Sequence, residues 1–292
     1  MQKLFCDWGT SNLRAYLIEN GEVLRQYNSD LGILKASKIG FEKVIASVCQ
    51  ELDCTGIKEI YLSGMIGSKN GWQEASYLET PLSTNAMKTN FIHPSNCSHI
   101  KIFGGVKHLD QSRDYDVMRG EEVQVFGVLV QAPKASLICL PGSHSKWVHV
   151  DAGQIKSFST WMTGELFKCL SQNTIFAKQI DSENFDKESF VQGVEYAREH
   201  HELGTSLFKL RTQYLFERLD QSNFHSYLSG FLIASEIREA AGNVKEVYLC
   251  SSDELMNLYE IALDIFGIAT KKFSVSESTI LGIKAICGES YE

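Results

Sequence analysis

Two segments of the chain share one pattern, in which three short apolar stretches are separated by tight turns. The predicted strands are 3–7, 13–19 and 22–27 in the first copy and 136–140, 146–150 and 155–161 in the second. Asn20-Gly21 is a strong hairpin signal inside the first copy. Predicted helices and further strands follow each copy. Each copy therefore predicts a mixed β-sheet flanked by helices.

Two such α/β halves facing each other across a hinge are the plan of the actin-like ATPase folds, with a cleft between the domains. The 292 residues leave room for two domains of roughly 100 to 200 residues each. We place the boundary between an N-terminal domain of residues 1–117, on the substrate side, and a C-terminal domain of residues 118–292, on the nucleotide side. No repeat at a fixed period accompanies this coarse duplication.

Charge and cysteine usage exclude several classes of protein. Asp and Glu (36) outnumber Lys and Arg (28), so we expect no nucleic-acid or membrane partner. The eight cysteines lack metal-ligand spacing and predict reduced core thiols of an intracellular protein. No signal-peptide pattern opens the chain, and no apolar run is long enough to span a bilayer. We expect a cytoplasmic location.

The segment from Asp7 to Arg14 carries the strongest local signal, because an acid ends a buried strand and small residues lead into the next strand. A turn through Gly9, Thr10 and Ser11 can present backbone N–H groups and two hydroxyls to phosphate oxygens. Asp7 is our candidate ligand for Mg²⁺, held directly or through water. The alternative is an ordinary β-turn.

A similar turn, Leu140 to Trp147, opens the second copy. Gly142 and Ser143 permit close approach of the backbone to a phosphate, and Lys146 supplies a positive charge. We expect this turn and the first one to clamp a nucleotide together. The alternative is a polar hairpin with an exposed lysine.

A glycine-rich loop from Ser63 to Glu74 follows a buried strand. Its polar residues suit a hydroxylated ligand, with Trp72 as an apolar wall and Lys69 as a partner for a carboxylate. The alternative is a flexible surface loop on which Trp72 packs down.

Two predicted helix starts carry further candidates for chemistry. Glu121 or Glu165 could accept the proton of an attacking hydroxyl, and Arg119 could bind an anionic substrate. Acids at helix starts are, however, often only partners of the helix dipole. P-loop, dinucleotide-binding, zinc-protease and α/β-hydrolase motifs are all missing from the sequence. His144 is the one histidine that we place near chemistry.

Five motifs, in this order, resemble the 2-dehydro-3-deoxygalactonokinase family. They are Asp7-Trp8-Gly9-Thr10-Ser11-Asn12-Leu13-Arg14, Gly64-Met65-Ile66-Gly67-Ser68 with Gly71-Trp72, Met118-Arg119-Gly120-Glu121-Glu122, Pro141-Gly142-Ser143-His144-Ser145-Lys146-Trp147-Val148 and Met162-Thr163-Gly164-Glu165-Leu166. The resemblance implies two ribonuclease-H-like domains. It also implies transfer of phosphate from ATP to the 6-hydroxyl of 2-dehydro-3-deoxy-D-galactonate, within D-galactonate breakdown.

The resemblance also implies roles for particular residues. It supports phosphate-binding roles for Asp7, Gly9, Thr10, Ser11, Gly142, Ser143 and Lys146, and it places the loop from Gly64 to Trp72 near the sugar acid. Together with the arguments from the residues, the catalytic candidates are Asp7, Glu121, Lys146 and Glu165; the nucleotide-binding candidates are Gly9, Thr10, Ser11, Gly142, Ser143, Ser251 and Ser252; and the substrate-binding candidates are Arg14, Gly64, Met65, Ser68, Trp72 and Arg119. Around Ser251 and Ser252 this sequence departs from the family, because Cys250-Ser251-Ser252-Asp253 replaces a small Gly-Thr-Ser-like turn expected near the ribose and base. The resemblance assigns no single catalytic base.

Other functions remain open from the residues alone. A kinase for another sugar or sugar acid has the same fold, because substrate choice depends on side-chain placement. A non-catalytic sugar-acid sensor would keep the binding residues without turnover. A filament-forming actin-like protein would have no use for the glycine-rich loop. A homodimer is also left open.

Overall fold

The computed structural model describes residues 2–178, 180 and 184–288, which contain fifteen β-strands and ten α-helices. The strands are β1 Gln2–Trp8, β2 Leu13–Glu19, β3 Glu22–Ser29, β4 Ile60–Gly64, β5 Leu78–Glu79, β6 Leu82–Ser83, β7 Phe91–Ile92, β8 Ile100–Phe103, β9 Val106–Leu109, β10 Tyr115–Met118, β11 Leu137–Leu140, β12 Ser145–Asp151, β13 Gln154–Trp161, β14 Glu246–Ser251 and β15 Ala269–Ser274. The helices are α1 Ile33–Ile39, α2 Phe41–Glu51, α3 Thr84–Met87, α4 Glu121–Gln131, α5 Thr163–Asn173, α6 Lys187–Glu199, α7 Leu203–Leu215, α8 Phe224–Ala240, α9 Asp253–Ile265 and α10 Val275–Cys287.

The first sheet has the strand order β3-β2-β1-β4-β8-β7. Strands β1, β2 and β3 form an antiparallel meander, while β4 is parallel to β1 and β8 is parallel to β4. Asn20 and Gly21 both have positive φ angles, 51° and 79°, which is the backbone twist that a two-residue hairpin requires. The hairpin predicted at this dipeptide is therefore confirmed.

The same topology occurs a second time. The third sheet has the order β15-β14-β11-β12-β13-β6. It contains the second meander, β11 to β13, and beyond β11 it continues with β14, which is parallel to β11, and β15, which is parallel to β14. A smaller sheet has the order β10-β9-β5. Parallel neighbours need long connections, which the helices between the strands supply. The prediction of mixed sheets flanked by helices is confirmed.

The chain forms two compact units, each with its own core. The first comprises residues 1–135, 148–158 and 275–292, and the second comprises residues 136–147 and 159–274. Strands β12 and β13 contribute residues to both. The predicted division after residue 117 stays a prediction, because these units are groups of densely packed residues and not domains shown to fold alone.

In the first unit, alternation along β1 directs successive side chains to opposite faces of the sheet. Leu4, Cys6 and Trp8 share a core with Val44 and Val48 of α2, so Phe5 and Asp7 face the other way. The core of the second unit is built around α8, with buried residues along most of its length.

Close backbone packing joins the helix pairs. A Cβ atom placed on Gly127 of α4 would lie 1.7 Å from the carbonyl oxygen of Ser278 in α10, and one on Gly193 of α6 would lie 2.1 Å from that of Tyr227 in α8. Only glycine permits these approaches.

The cysteines are free thiols, and six of the eight are buried. Within the described part of the chain, no helix has both the length and the apolar character needed to cross a membrane.

Candidate active site

The first candidate turn lies where β1 ends. Asp7 pairs with Arg14 of β2 on one side and with Ser63 of β4 on the other. The N–H of Gly9 donates to the carbonyl oxygen of Asn12 over 2.9 Å and closes the turn. The N–H groups of residues 32 and 33 donate to carbonyl oxygens of residues 11 and 9, so the start of α1 holds the turn in place.

Asp7 is an enclosed acid with unusual electrostatics. Burial raises the pKa of its carboxyl group from 3.8 to about 6; the Arg14 guanidinium opposes this rise and the Glu121 carboxylate adds to it. The nearest distance between Arg14 Nη1 and Asp7 Oδ2 is 3.6 Å, and the Asp7 side chain is 21% exposed. At neutral pH this carboxyl group is therefore mostly ionised, and the carboxylate takes up a proton more readily than an ordinary aspartate does.

Two glycines allow the backbone segments around Asp7 to converge. Gly64 has φ +89° and Gly120 has φ +109°. A Cβ atom on Gly64 would lie 2.7 Å from the carbonyl oxygen of Trp8, and one on Gly120 would lie 3.2 Å from Gly64 Cα and 3.8 Å from Asp7 Oδ1. The ends of β1 and β4 and the start of α4 thus meet at Asp7.

The two acids that open α4 have different surroundings. Glu121 Oε2 accepts the N–H of Arg119 over 2.9 Å, and Glu122 Oε2 accepts the N–H of Gly120 over 2.7 Å. Glu122 is fully buried, and its Oε1 atom has no partner. Burial and repulsion from Glu121 raise the pKa of Glu122 to about 8. The sequence places two acids at this helix start but does not distinguish the buried one.

Arg119 points into the protein. Its Nη2 atom donates to the carbonyl oxygen of Ala75 over 2.8 Å, and its guanidinium lies 4.3 Å from the centre of the Tyr77 ring. The side chain is only 8% exposed. Arg119 therefore anchors the glycine-rich loop, and its predicted contact with substrate stays a prediction.

The loop itself is ordered by local contacts. Ser68 Oγ donates to the carbonyl oxygen of Met65 over 2.7 Å, and the Trp72 ring stacks on Phe41 with ring centres 5.9 Å apart. Trp72 thus packs down onto α2, as one of the two interpretations expected, while it remains partly exposed. Lys69 is exposed.

The second candidate turn is assembled in the other unit. The N–H of Glu165 donates to the carbonyl oxygen of Ser143 over 3.0 Å, and a Cβ atom on Gly164 would lie 2.5 Å from the carbonyl oxygen of Gly142. The start of α5 therefore lies against this turn. His144 Nε2 contacts the Glu165 carboxylate, and about half of each side chain is exposed.

Lys146 is 5% exposed, and its Nζ atom donates to Thr160 Oγ1 over 2.7 Å. The interpretation of this turn as a hairpin with an exposed lysine is wrong, because the strand packing encloses the side chain. The turn at the end of β14 contains Ser251, whose buried Oγ atom has no partner, and the exposed Ser252, which precedes α9.

The structure thus groups the predicted residues within each unit. Asp7, Arg14, Gly64 and Glu121 converge in the first, and Gly142, Ser143, Lys146 and Glu165 in the second. A common cleft for both groups stays a prediction. In the residues that the structure describes, no three His, Cys, Asp or Glu side chains form a metal-binding cluster.

The chain matches known proteins over most of its length. The sequence model of the family described as 2-keto-3-deoxy-galactonokinase matches residues 7–286. A Rhizobium meliloti protein named as a probable 2-dehydro-3-deoxygalactonokinase is 35% identical, over 96% of this chain and 94% of that protein. The 2-dehydro-3-deoxygalactonokinase of Escherichia coli is 29% identical, over 96% of this chain and 95% of that protein.

Solved structures agree on the fold. A crystal structure from Sinorhizobium meliloti, named provisionally as a 2-dehydro-3-deoxygalactonokinase, matches with a TM-score of 0.92 at 33% identity, over 97% of each chain. The activator of 2-hydroxyisocaproyl-CoA dehydratase from Clostridium difficile matches with a TM-score of 0.53 at 11% identity, over 99% of this chain and 94% of that one, and shares the fold alone. The chain therefore has the actin-like ATPase fold, and with its match from residue 7 to residue 286 it belongs to the 2-keto-3-deoxy-galactonokinase family.

Proposed function

We propose that this chain is a kinase that transfers the terminal phosphoryl group of ATP to the 6-hydroxyl of 2-dehydro-3-deoxy-D-galactonate. The family match over residues 7–286 carries this proposal, and the names of the two curated relatives support it. The motifs on which the sequence resemblance rests lie at the ends of strands and the starts of helices, where ligand sites of α/β folds are commonly found.

The chemistry requires positioned groups more than covalent help. Phosphoryl transfer gains mainly from in-line placement and from stabilising charge on the phosphoryl oxygens. Asp7, at the end of β1, and Glu121, at the start of α4, supply two neighbouring carboxylates. One of the two would accept the proton of the attacking hydroxyl: Asp7, whose pKa of about 6 suits a general base at neutral pH, if it holds Mg²⁺ through water, and Glu121 if Asp7 binds the ion directly.

The same carboxylates suit Mg²⁺. The ion prefers oxygen ligands and usually keeps several waters, so one or two protein carboxylates suffice. Asp7 provides such an oxygen, and its raised pKa indicates that the surrounding residues do not fully compensate the negative charge of the carboxylate. Bound Mg²⁺ would neutralise charge on the phosphate oxygens. Asp7 would hold it directly or through water.

Phosphate binding falls on the two turns. Thr10 and Ser11 offer N–H groups and hydroxyls in the first unit, while Gly9, whose own N–H is bonded to Asn12, would shape the turn. In the second unit, Gly142 and Ser143 lie against the start of α5, whose dipole favours negative charge. Lys146 lies in β12 directly after this turn and adds a cation. Ser251 and Ser252 would contact the nucleoside.

The sugar acid would lie against the loop that follows β4. Met65, Ser68 and Trp72 offer an apolar wall and a hydroxyl, and the partly exposed Arg14 offers a charge for the carboxylate. Arg119 would act by holding this loop through its bond to Ala75. The cytoplasmic location, the homodimer, and the absence of nucleic-acid and membrane partners remain predictions.

A coupled assay for ADP formation tests the proposal. Purified protein would be supplied with ATP, Mg²⁺ and either 2-dehydro-3-deoxy-D-galactonate or its 4-epimer, 2-dehydro-3-deoxy-D-gluconate. We expect turnover with both reactants present and a higher kcat/KM for the galactonate derivative. A higher kcat/KM for the epimer would favour another sugar-acid kinase, and ligand binding without ADP formation would favour a sensor.

A further inference from the structure

A buried glutamate with several side-chain donors lies in the second unit. Glu236, on the interior helix α8, is 1% exposed. Its Oε1 atom accepts the indole N–H of Trp147 over 2.8 Å, and its Oε2 atom accepts the hydroxyl of Tyr259 over 2.9 Å. The hydroxyls of Thr163 and Ser145 lie close enough to the Glu236 carboxyl group to lower its pKa. We call these five residues the Glu236 network.

The network is closed by a second bond. The Tyr259 hydroxyl lies 3.0 Å from Ser145 Oγ, so Tyr259 links the glutamate to the start of β12. Burial raises the pKa of Glu236, whereas the hydrogen bonds from Thr163, Trp147, Tyr259 and Ser145 lower it. In the described part of the chain, no Lys or Arg forms a salt bridge with Glu236. The carboxyl group is therefore held by neutral donors.

The donors come from segments that surround the second turn. Ser145 and Trp147 belong to β12 and follow the turn directly, while Thr163 begins α5. The next two residues of α5, Gly164 and Glu165, make the backbone contacts that hold Gly142 and Ser143. One side chain thus connects the strand that leaves the turn with the helix start that packs on it.

From this arrangement, and resting on the proposed function, we infer that Glu236 is a positioning residue for the phosphate-binding turn of residues 141–144. It would set the spacing between β12 and α5, and thereby the direction of the N–H groups of Gly142 and Ser143. It touches neither substrate nor nucleotide. A carboxyl group suits this task, because its two oxygens orient several donors at once.

Two variants test the inference. Glu236→Gln keeps the shape but replaces one acceptor oxygen by a donor amide, which either opposes the donor-only N–H of Trp147 or turns the Tyr259 hydroxyl from donor to acceptor. Tyr259→Phe removes the one hydroxyl that bonds both Glu236 and Ser145 but keeps the carboxyl group, and it keeps the assay possible if the first variant does not fold. Ser235→Ala is the matched control, since its buried hydroxyl lies on the same helix but bonds only to the carbonyl oxygen of Phe231, over 2.8 Å.

Binding of AMP-PNP with Mg²⁺ by calorimetry and steady-state kinetics would be measured for each protein. We expect both network variants to bind the nucleotide about tenfold more weakly, with KM for the sugar acid within twofold of the wild type. The control should match the wild type, and Glu236→Asp should recover part of the lost affinity. Far-UV circular dichroism would establish that each variant is folded.

The outcomes separate this inference from the proposed function. If folded Glu236→Gln and Tyr259→Phe bind AMP-PNP like the wild type and lose only thermal stability, the positioning role is wrong. If the wild type binds AMP-PNP but phosphorylates no 2-dehydro-3-deoxy sugar acid, the proposed substrate is wrong, and weaker binding by the variants would still support the positioning role. A wild type that binds no nucleotide would overturn both.

Discussion

Replacing Asp7 by Asn should stabilise the protein while removing its activity. Asn resembles a protonated Asp, and burial makes ionisation of Asp7 unfavourable in the folded chain. The pKa rises from 3.8 to about 6, so the ionised carboxylate destabilises the native state by about 3 kcal/mol above pH 7. The figure is an upper limit, because the side chain is 21% exposed.

The pH dependence of this difference has a definite sign. Because the folded pKa is raised, the wild type keeps the full contribution of the protonated group below pH 3.8 and loses it as the pH rises through about 6. Asn does not titrate. The variant should therefore exceed the wild type in unfolding free energy by about 1 kcal/mol at pH 4.5 and by about 3 kcal/mol at pH 8.

Urea unfolding of the ligand-free proteins across this pH range measures the difference. Glu19→Gln, at the opposite end of the β1–β2 hairpin, is the control and should change stability by less than about 0.5 kcal/mol. In the coupled assay, Asp7→Asn should reduce kcat by at least about 100-fold. A variant that is less stable than the wild type at pH 8, or a difference that does not change with pH, would refute the reasoning.

Three further predictions concern candidate residues of the two units. The kcat/KM of the wild type should fall as the pH is lowered and Asp7 takes up a proton, with the midpoint moved below the metal-free pKa of about 6 by any Mg²⁺ that Asp7 binds, and a profile flat to about pH 4 would contradict a role for this carboxyl group. Gly164→Ala should raise KM for ATP and destabilise the protein by about 1–3 kcal/mol, because its methyl group would lie 2.5 Å from the carbonyl oxygen of Gly142. Gly142→Ala is the control and should leave thermal stability unchanged, because its methyl group meets no atom within 4 Å. Equal thermal unfolding midpoints for the two variants would contradict this prediction. Arg119→Met should raise KM for the sugar acid more than KM for ATP, because the carbonyl oxygen of Ala75 loses its donor. Steady-state kinetics with each substrate varied in turn measures the two KM values. An equal rise in both would contradict a part for the loop in binding the sugar acid.

Much of the fold is predictable because its signals are local. The short apolar stretches of residues 3–7 and 13–19 and the hairpin dipeptide Asn20-Gly21 predict the first meander, which the structure contains as β1, β2 and β3. The seven-residue helix α1 and the two-residue strands β5, β6 and β7 were missed. Such short elements contain too few residues to show a period, and contacts with distant parts of the chain decide their conformation.

The candidate site divides in the same way. An acid at the end of β1 and glycines after β4 are visible in the sequence as residue types at particular positions. The reason for these glycines is not visible. Gly64 is required by the close approach of the Trp8 backbone, and Gly120 by its positive φ angle and by the nearby backbone of Gly64, which is distant along the chain. The turn residues Gly142 and Ser143 were likewise found, but the α5 residues that hold them were identified only as a second motif.

The sequence by itself determined the duplicated meander, the order of the motifs and the family to which they point, because turn chemistry and hydrophobic period act between near neighbours. Only the tertiary structure decided that Arg119 faces the carbonyl oxygens of Ala75 and Phe103, that Glu122 is buried while Glu121 lies near Asp7, and that Glu236 collects its donors from three other elements. Burial and hydrogen bonding between distant segments set these directions and pKa values, and no local pattern contains them.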